Sequence, residues 1–260
     1  MPILKILALG DVVSDSGCRF IRSRLWDIRR EKKLDAVIIN GENSAVGNGI
    51  DKTSADMLFA AGADVITTGN HVWRKKGVEH LFETNTSVLR PANYPPSCPG
   101  SGYTTVDCRG YRLLVVNLLG TVFMDSMDSP FLTLEKILER ENGAFDLSIV
   151  DFHAEATSEK IALALHFDGK ISAVFGTHTH VQTNDARVLP GGTGFISDAG
   201  MTGVENSVLG LDSSLMIKKF ITKMPQYHNV AEGEVTMHGV IFSIDTDSGK
   251  CVGAEAIKEF

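Results

Sequence analysis

Short apolar runs alternate along this chain with longer stretches in which apolar residues recur at helical spacing. Residues 3–9 are apolar except for Lys5 and stop at Gly10-Asp11. The run 36–39 stops at Asn40-Gly41-Glu42-Asn43-Ser44, and 65–68 stops at Gly69-Asn70-His71. The run 147–150 ends in Asp151-Phe-His153, and 170–175 leads into Gly176-Thr-His178-Thr-His180. Runs of this kind predict strands covered on both faces. Helical spacing predicts helices over 18–33, 53–61, 75–83, 129–141, 158–167 and 213–223, with Pro130 tolerated in a first turn. In the first of these, Phe20, Ile21, Leu25 and Ile28 form the apolar side and the arginines a solvated one. Residues 14–17 read as a turn, 88–102 as a surface loop framing the site, and 198–203 as a strand-end loop. Hairpins are expected for 103–106 with 112–118 and for 234–244 with 251–257, and short strands for 187–189 and 194–197. Strand–helix alternation of this sort implies one layered α/β/α domain over 1–260.

Ligand-type residues collect where the strands end. Asp11, Glu42 with Asn43, Asn70 with His71, His153, and His178 with His180 each stand at or just past a buried run. Carboxyl ends of parallel strands converge at one sheet edge, so these residues should share a site. If the chain stays extended beyond Gly176, His178 and His180 point the same way. Two carboxylates, two amides and three histidines exceed what one tetrahedral ion uses, and Glu42 is the natural bridge between two ions. Asp151 and Asp198 could orient ligand histidines or simply bond a loop. Arg90 and Asn93 are candidates for phosphate or sugar contact, against an ordinary role in anchoring their loop. His80, His166, His228 and His238 lack partners in the pattern and read as surface or packing residues.

Composition narrows the setting. The 260 residues are 43% hydrophobic and 22% charged, ordinary for a globular protein. A net charge of −7 argues against a nucleic-acid coat protein, although a local metal charge could still attract phosphate. Cys18, Cys98, Cys108 and Cys251 contain no Cys-x-x-Cys and read as free thiols of a reducing compartment. With no signal-peptide pattern in the opening residues and no apolar run of membrane-spanning length, a cytoplasmic location is expected.

The series Gly10-Asp11, Gly41-Glu42-Asn43, Gly69-Asn70-His71, His153 and Gly176-Thr-His178-Thr-His180 resembles the metallophosphoesterase superfamily. More closely it resembles the YmdB-like branch, through Asp151-Phe-His-Ala-Glu-Ala-Thr-Ser-Glu-Lys160 and Ser197-Asp-Ala-Gly200. Where the wider superfamily carries a histidine two residues past the first aspartate, an aspartate bridge and a final acid in Gly-Asn-His-Glu, this chain has Val13, Glu42 and Val72. Those departures match the branch.

The resemblance implies a four-layered α/β/β/α sandwich with a dinuclear iron or manganese site. It implies that Asp11, Glu42, Asn43 and His180 hold one metal, and Glu42, Asn70, His153 and His178 the other. The implied activity is hydrolysis of phosphodiesters, including 2′,3′-cyclic nucleotides, by in-line attack of a metal-bound hydroxide with His71 as general acid. A phosphodiester substrate, a cyclic nucleotide or an RNA-derived diester, and a dimer or tetramer are the expected partners. Two alternatives stand beside it. One is a metal-containing regulator that binds cyclic nucleotide or RNA with little turnover. The other is a different metal-dependent hydrolase, such as an amidohydrolase, although that scheme places its His-x-His early in the chain.

Overall fold

In a computed structural model, residues 2–227 and 229–260 are described, which leaves His228 outside. The apolar runs become strands in two sheets. The first sheet orders β2 (Asp11–Val12), β11 (Met201–Val204), β12 (Val235–Asp245), β1 (Ile3–Leu9), β3 (Ala36–Asn40) and β4 (Val65–Thr67), with β13 (Cys251–Glu259) also paired to β12. The second orders β5 (Tyr103–Cys108), β6 (Tyr111–Leu119), β7 (Leu147–His153), β8 (Ala173–Thr177), β10 (Gly194–Ile196) and β9 (Arg187–Val188). Strands β1, β3 and β4 run parallel, as do β6, β7, β8 and β10. Their carboxyl ends therefore lie together within each sheet.

Alternation inside the all-apolar runs builds the layers. Leu7 and Leu9 of β1, with Val37 and Ile39 of β3, face α1 (Ser14–Lys32), α2 (Lys52–Ala61) and α3 (Val78–Thr84) through Ile21, Leu25, Leu58 and Phe82. Their neighbours Ile6, Ala8 and Ile38 point the other way and meet Val115, Ile149 and Phe175 of the second sheet. On that sheet's far side, Leu114, Val116, Val150 and Phe152 pack on α4 (Pro130–Arg140) and α5 (Thr157–His166) through Leu134, Ile137 and Leu163. The result is α/β/β/α. The three-layer expectation from strand–helix alternation is corrected, because alternation cannot tell a face covered by helices from one covered by a second sheet. The remaining helix, α6 (Ser213–Thr222), buries only Met216. No helix among the described residues is long and apolar enough to cross a membrane.

Three local expectations are also corrected. Residues 14–17 are the first turn of α1, not a separate turn. Gly17 is there for close approach, since a Cβ would fall 2.6 Å from the Thr202 carbonyl oxygen. The 198–203 segment contains most of β11, a strand whose Thr202 and Gly203 thin its apolar pattern and whose place is set by pairing with β2 and β12. In the 88–102 loop, Val88, Leu89, Arg90 and Asn93 are buried. The four cysteines are unpaired, as expected.

Gly176 ties the second sheet to the His-x-His segment. A Cβ at this position would lie 1.8 Å from the Ser197 carbonyl oxygen, which is backbone and cannot step aside. Gly176→Ala should therefore push β8 from β10 and cost more than about 4 kcal/mol. Thermal unfolding of the chelator-treated protein checks this, and an unchanged Tm would contradict the close approach.

Candidate metal centre

Tight glycine turns aim the strand ends at one cleft where the two sheets meet. After β1, Gly10 passes so close to β11 that a Cβ would sit 1.9 Å from the Gly200 oxygen, and Asp11 follows, fully buried. Beyond β3 come Glu42 and Asn43, 1% and 4% exposed. A Cβ on Gly69 would stand 2.3 Å from both Glu42 Oε2 and His153 Nε2, so only glycine lets the Asn70-His71 turn close on the cleft. The second sheet contributes His153, the last residue of β7, and the segment just past β8.

His178 and His180 do not continue the strand. Their φ angles are +100° and +64°, so the chain coils at both residues and the extended-chain reason for their shared direction is corrected. A left-handed conformation is costly for a histidine and persists only where neighbours enforce it. Here Asp198 enforces it, accepting from Thr179 N at 3.1 Å and Thr179 Oγ1 at 2.8 Å with the same Oδ2 that takes Lys160 Nζ at 2.8 Å. Lys160 and Asp198 are each 1% exposed. His178 N also donates to Asp11 Oδ2 at 2.9 Å.

The donors divide into two groups around Glu42. On the Oε2 side, His153 Nε2 is 3.3 Å away and itself lies 3.0 Å from both Asn70 Oδ1 and His178 Nδ1. Donor atoms of Glu42, His153 and His178 fall within 4.8 Å of one another. On the Oε1 side, Asn43 Nδ2 is 2.8 Å away and lies 3.2 Å from His180 Nε2, which is 3.7 Å from Asp11 Oδ1. Asn43 presents nitrogen here while its Oδ1 accepts from His71 Nδ1 at 2.8 Å. A half-turn of the amide would place oxygen toward Glu42 and His180, the arrangement a ligand role requires.

Each histidine facing the cleft is held from behind, as ligand histidines usually are. His180 Nδ1 lies 3.2 Å from the Leu209 carbonyl oxygen, and His178 Nε2 lies 3.0 Å from Glu155 Oε2. His153 Nδ1 lies 2.9 Å from Thr177 Oγ1, whose hydroxyl donates to Asp151 Oδ1 at 2.7 Å. Asp151 Oδ2 accepts from Asn40 Nδ2 at 2.9 Å and from the Thr67 hydroxyl.

Electrostatics make the cleft ready for cations. Burial, the Glu42 and Asp198 charges and Asp151 raise the Asp11 carboxyl well above its usual range, against the His178 N–H bond. Burial also works to raise Glu42, but the neighbouring His153 and His71 outweigh it and hold it below its usual range. Burial pushes His153 down to about 3 despite Glu42, and lowers His180 likewise. Neutral His153 and His180 rings thus face two buried carboxyl groups. Asp11 Oδ1 is buried with no hydrogen-bond partner, an expensive state that a cation would relieve. Oxygen and imidazole donors of this mix fit a first-row divalent metal.

The family model for YmdB-like proteins matches residues 7–257. The chain belongs to the YmdB-like family. It is 42% identical over 254 residues to a 2′,3′-cyclic-nucleotide 2′-phosphodiesterase of Bacillus subtilis (strain 168), covering 98% of this chain and 96% of that protein. It superposes with a TM-score of 0.92 on the crystal structure of a hypothetical protein from Thermus thermophilus, at 41% identity, covering 98% of this chain and 99% of the other. A structure described as a novel phosphatase of Mycoplasma pneumoniae gives a TM-score of 0.94 at 33% identity, with coverages of 100% and 94%. A putative 5′-nucleotidase of Staphylococcus aureus, 14% identical with a TM-score of 0.63, shares the fold.

The structure brings Asp11, Glu42, Asn43, Asn70, His71, His153, His178 and His180 together. It does not bring Arg90 or Asn93 to them. Arg90 is spent on the Pro91 and Pro99 carbonyl oxygens, and Asn93 on Leu119 and Asp128, so both anchor their loop. His80 and His166 are exposed, and His238 is half-buried near Glu205. Missed from sequence were Glu155, Thr177, Asn40, Thr67 and Lys160. Glu155 and Asn40 each lie two residues from a candidate ligand and Thr177 beside one. Lys160 closes the family-like segment 151–160 with nothing there to show its role, and nothing in the sequence marks Thr67.

Titration of the metal-free protein should expose the buried pair His153 and Asp151. Burial raises Asp151 to about 7, against bonds from Thr67, Thr177 and Asn40. A carboxyl raised on folding favours the native state at low pH and loses that stability as pH rises from about 4 to 7. His153, lowered to about 3, acts oppositely and loses stability as pH falls from about 6.5 to 3. The two should nearly cancel, so His153→Asn should unmask a fall in urea midpoint as pH rises from about 4 to 7. A midpoint rising over that window would contradict the assignment.

Proposed function

We propose that this chain is a dinuclear divalent-metal phosphodiesterase acting on 2′,3′-cyclic nucleotides. The observation that carries the reading is the division of donors around Glu42, whose two oxygens face separate groups. Asp11, Glu42, Asn43 and His180 would hold one ion, and Glu42, Asn70, His153 and His178 the other, with iron or manganese favoured by the oxygen and nitrogen donors. Bound divalent ions would supply Lewis-acid polarisation of phosphate oxygens and a nucleophile from water at neutral pH. The similarity to the Bacillus subtilis 2′,3′-cyclic-nucleotide 2′-phosphodiesterase supports cyclic nucleotides as the substrate class.

The chain itself contributes charge balance and a proton. Asp11 and Glu42 are the only carboxylates in the proposed shells, so they compensate two divalent charges incompletely and leave the cleft attractive to a phosphodiester anion. His71 sits half-buried at the rim, its Nδ1 engaged by Asn43 Oδ1 at 2.8 Å and Glu42 Oε1 at 3.2 Å. With Nδ1 so held, Nε2 is the nitrogen available to a substrate oxygen. If the Asn43 amide turns over to present oxygen to the cleft, Glu42 Oε1 at 3.2 Å remains to accept from His71 Nδ1–H. As the imidazolium, His71 would then give its Nε2 proton to the departing ribose oxygen and be left a neutral ring with its remaining proton on Nδ1.

Two measurements test the reading. Protein purified without chelators should contain about two divalent ions per chain and hydrolyse 2′,3′-cyclic AMP faster than p-nitrophenyl phosphate. One ion per chain with faster monoester turnover would overturn it. For His71, the leaving group decides. A ribose hydroxyl needs a proton and p-nitrophenolate does not, so His71→Ala should lower cyclic-nucleotide turnover by about 10²- to 10⁴-fold. Much of the bis-p-nitrophenyl phosphate activity should survive with the metal content unchanged. Equal losses on both substrates would remove the general-acid role.

A further inference from the structure

His153 can carry its proton on either ring nitrogen, and only one choice leaves the cleft side free to bind a cation. Nε2 faces acceptors, Asn70 Oδ1 at 3.0 Å and Glu42 Oε2 at 3.3 Å, so an Nε2–H ring would be well satisfied without any ion. What decides is the other side of the ring. Proton counting there starts from Asn40, whose Oδ1 accepts from Glu42 N at 3.1 Å and whose Nδ2 therefore points at Asp151 Oδ2, 2.9 Å away. An ionised Asp151 can only accept, so the single hydroxyl proton of Thr177 goes to Asp151 Oδ1 at 2.7 Å. Thr177 Oγ1 is left as an acceptor, 2.9 Å from His153 Nδ1. Asn40 Nδ2 carries a second N–H, which goes to Thr177 Oγ1 at 3.2 Å in preference to His153 Nδ1 at 3.5 Å.

We propose that Asp151, acting through Thr177, fixes His153 as the Nδ1–H tautomer and so keeps Nε2 unprotonated toward the cleft. Asp151 and Thr177 are positioning residues, and the inference rests on the proposed metal-binding role of His153. The same carboxylate holds Glu42 through Asn40, so one buried group sets a ligand from each sheet. Asp151 and Thr177 are both fully buried, which keeps water from replacing the relay.

The test follows the ring proton directly. Metal-free full-length protein labelled with ¹⁵N-histidine is studied at about pH 8.5, well above the ordinary carboxylate and imidazole ranges. Two-bond ¹H–¹⁵N spectra should assign His153 as Nδ1–H. In Asp151→Asn, the acceptor oxygen stays with Asn40 and Thr67 while the new amide nitrogen donates to Thr177. Thr177 then turns its hydroxyl proton to His153 Nδ1, and the ring should switch to Nε2–H. Thr177→Val should switch it as well, and Thr177→Ser should restore Nδ1–H. Affinity for Mn²⁺ should fall about 10- to 100-fold in the switched variants and recover in Thr177→Ser. An Nε2–H ring in the unsubstituted protein overturns the proposal whether or not the variants fold, as does a ring that stays Nδ1–H in both Asp151→Asn and Thr177→Val. An Nδ1–H ring that switches as stated in protein taking up no Mn²⁺ supports the positioning and removes the metal-binding role from the site.

Discussion

Buried carboxylates facing uncharged imidazoles are the constraint on which the cleft depends. Asp11 and Glu42 are almost wholly removed from water, and burial alone would push either toward its neutral form. His153 and His180 are driven the same way, with His153 too deeply buried to charge easily. A site composed like this is unfavourable on its own and becomes favourable around positive charge. The glycines make sense in that light. At Gly10 and Gly176 backbone approaches backbone, and at Gly69 a turn approaches Glu42 and His153, each where a Cβ could not fit.

The apolar layers supply the stability that such a site consumes. Two sheets packed face to face, with helices outside both, bury the alternating faces of nearly every central strand. That rigidity lets His178 and His180 sit at positive φ, a conformation the histidine side chain disfavours. The immediate restraint is the Lys160–Asp198 pair. A buried ion pair is weak evidence for stability, because desolvation offsets attraction. Its value here is geometric, since one carboxylate oxygen joins a lysine from α5 to the backbone between the two histidines.

Much of this was legible in the chain, for identifiable reasons. Strands buried on both faces write themselves as apolar runs, so β1, β3, β4, β7 and β8 could be placed with the ligand-type residues at their ends. Asp11, Glu42, Asn70 and His153 follow from those ends. Strand–helix alternation alone did not reveal the second sheet, because Ile6 and Leu7 look alike in sequence although one faces a sheet and the other a helix. The His-x-His segment was located correctly for a reason that fails, since the chain coils where extended backbone was expected. Supporting contacts were the least legible. Lys160 meets Asp198 across 38 positions and Asn40 meets Asp151 across 111, separations at which no local pattern survives.

The two halves of the cleft are built differently. Glu42 and Asn70 from the first sheet meet His153 and His178 from the second, so the Oε2 group depends on how the sheets are registered. Asp151 links that register to chemistry, taking bonds from Asn40 and Thr67 of the first sheet and Thr177 of the second. The Oε1 group also draws on both sheets, Asp11 and Asn43 from the first and His180 from the segment past β8, with His178 N donating to Asp11 Oδ2 at 2.9 Å. His180 is braced by the carbonyl of Leu209, itself 46% exposed and at positive φ. Asn43 is shared between Glu42, His180 and His71, so its amide can serve the cleft or the His71 ring with oxygen, but not both. The half that touches His71 therefore retains a side chain with two available orientations.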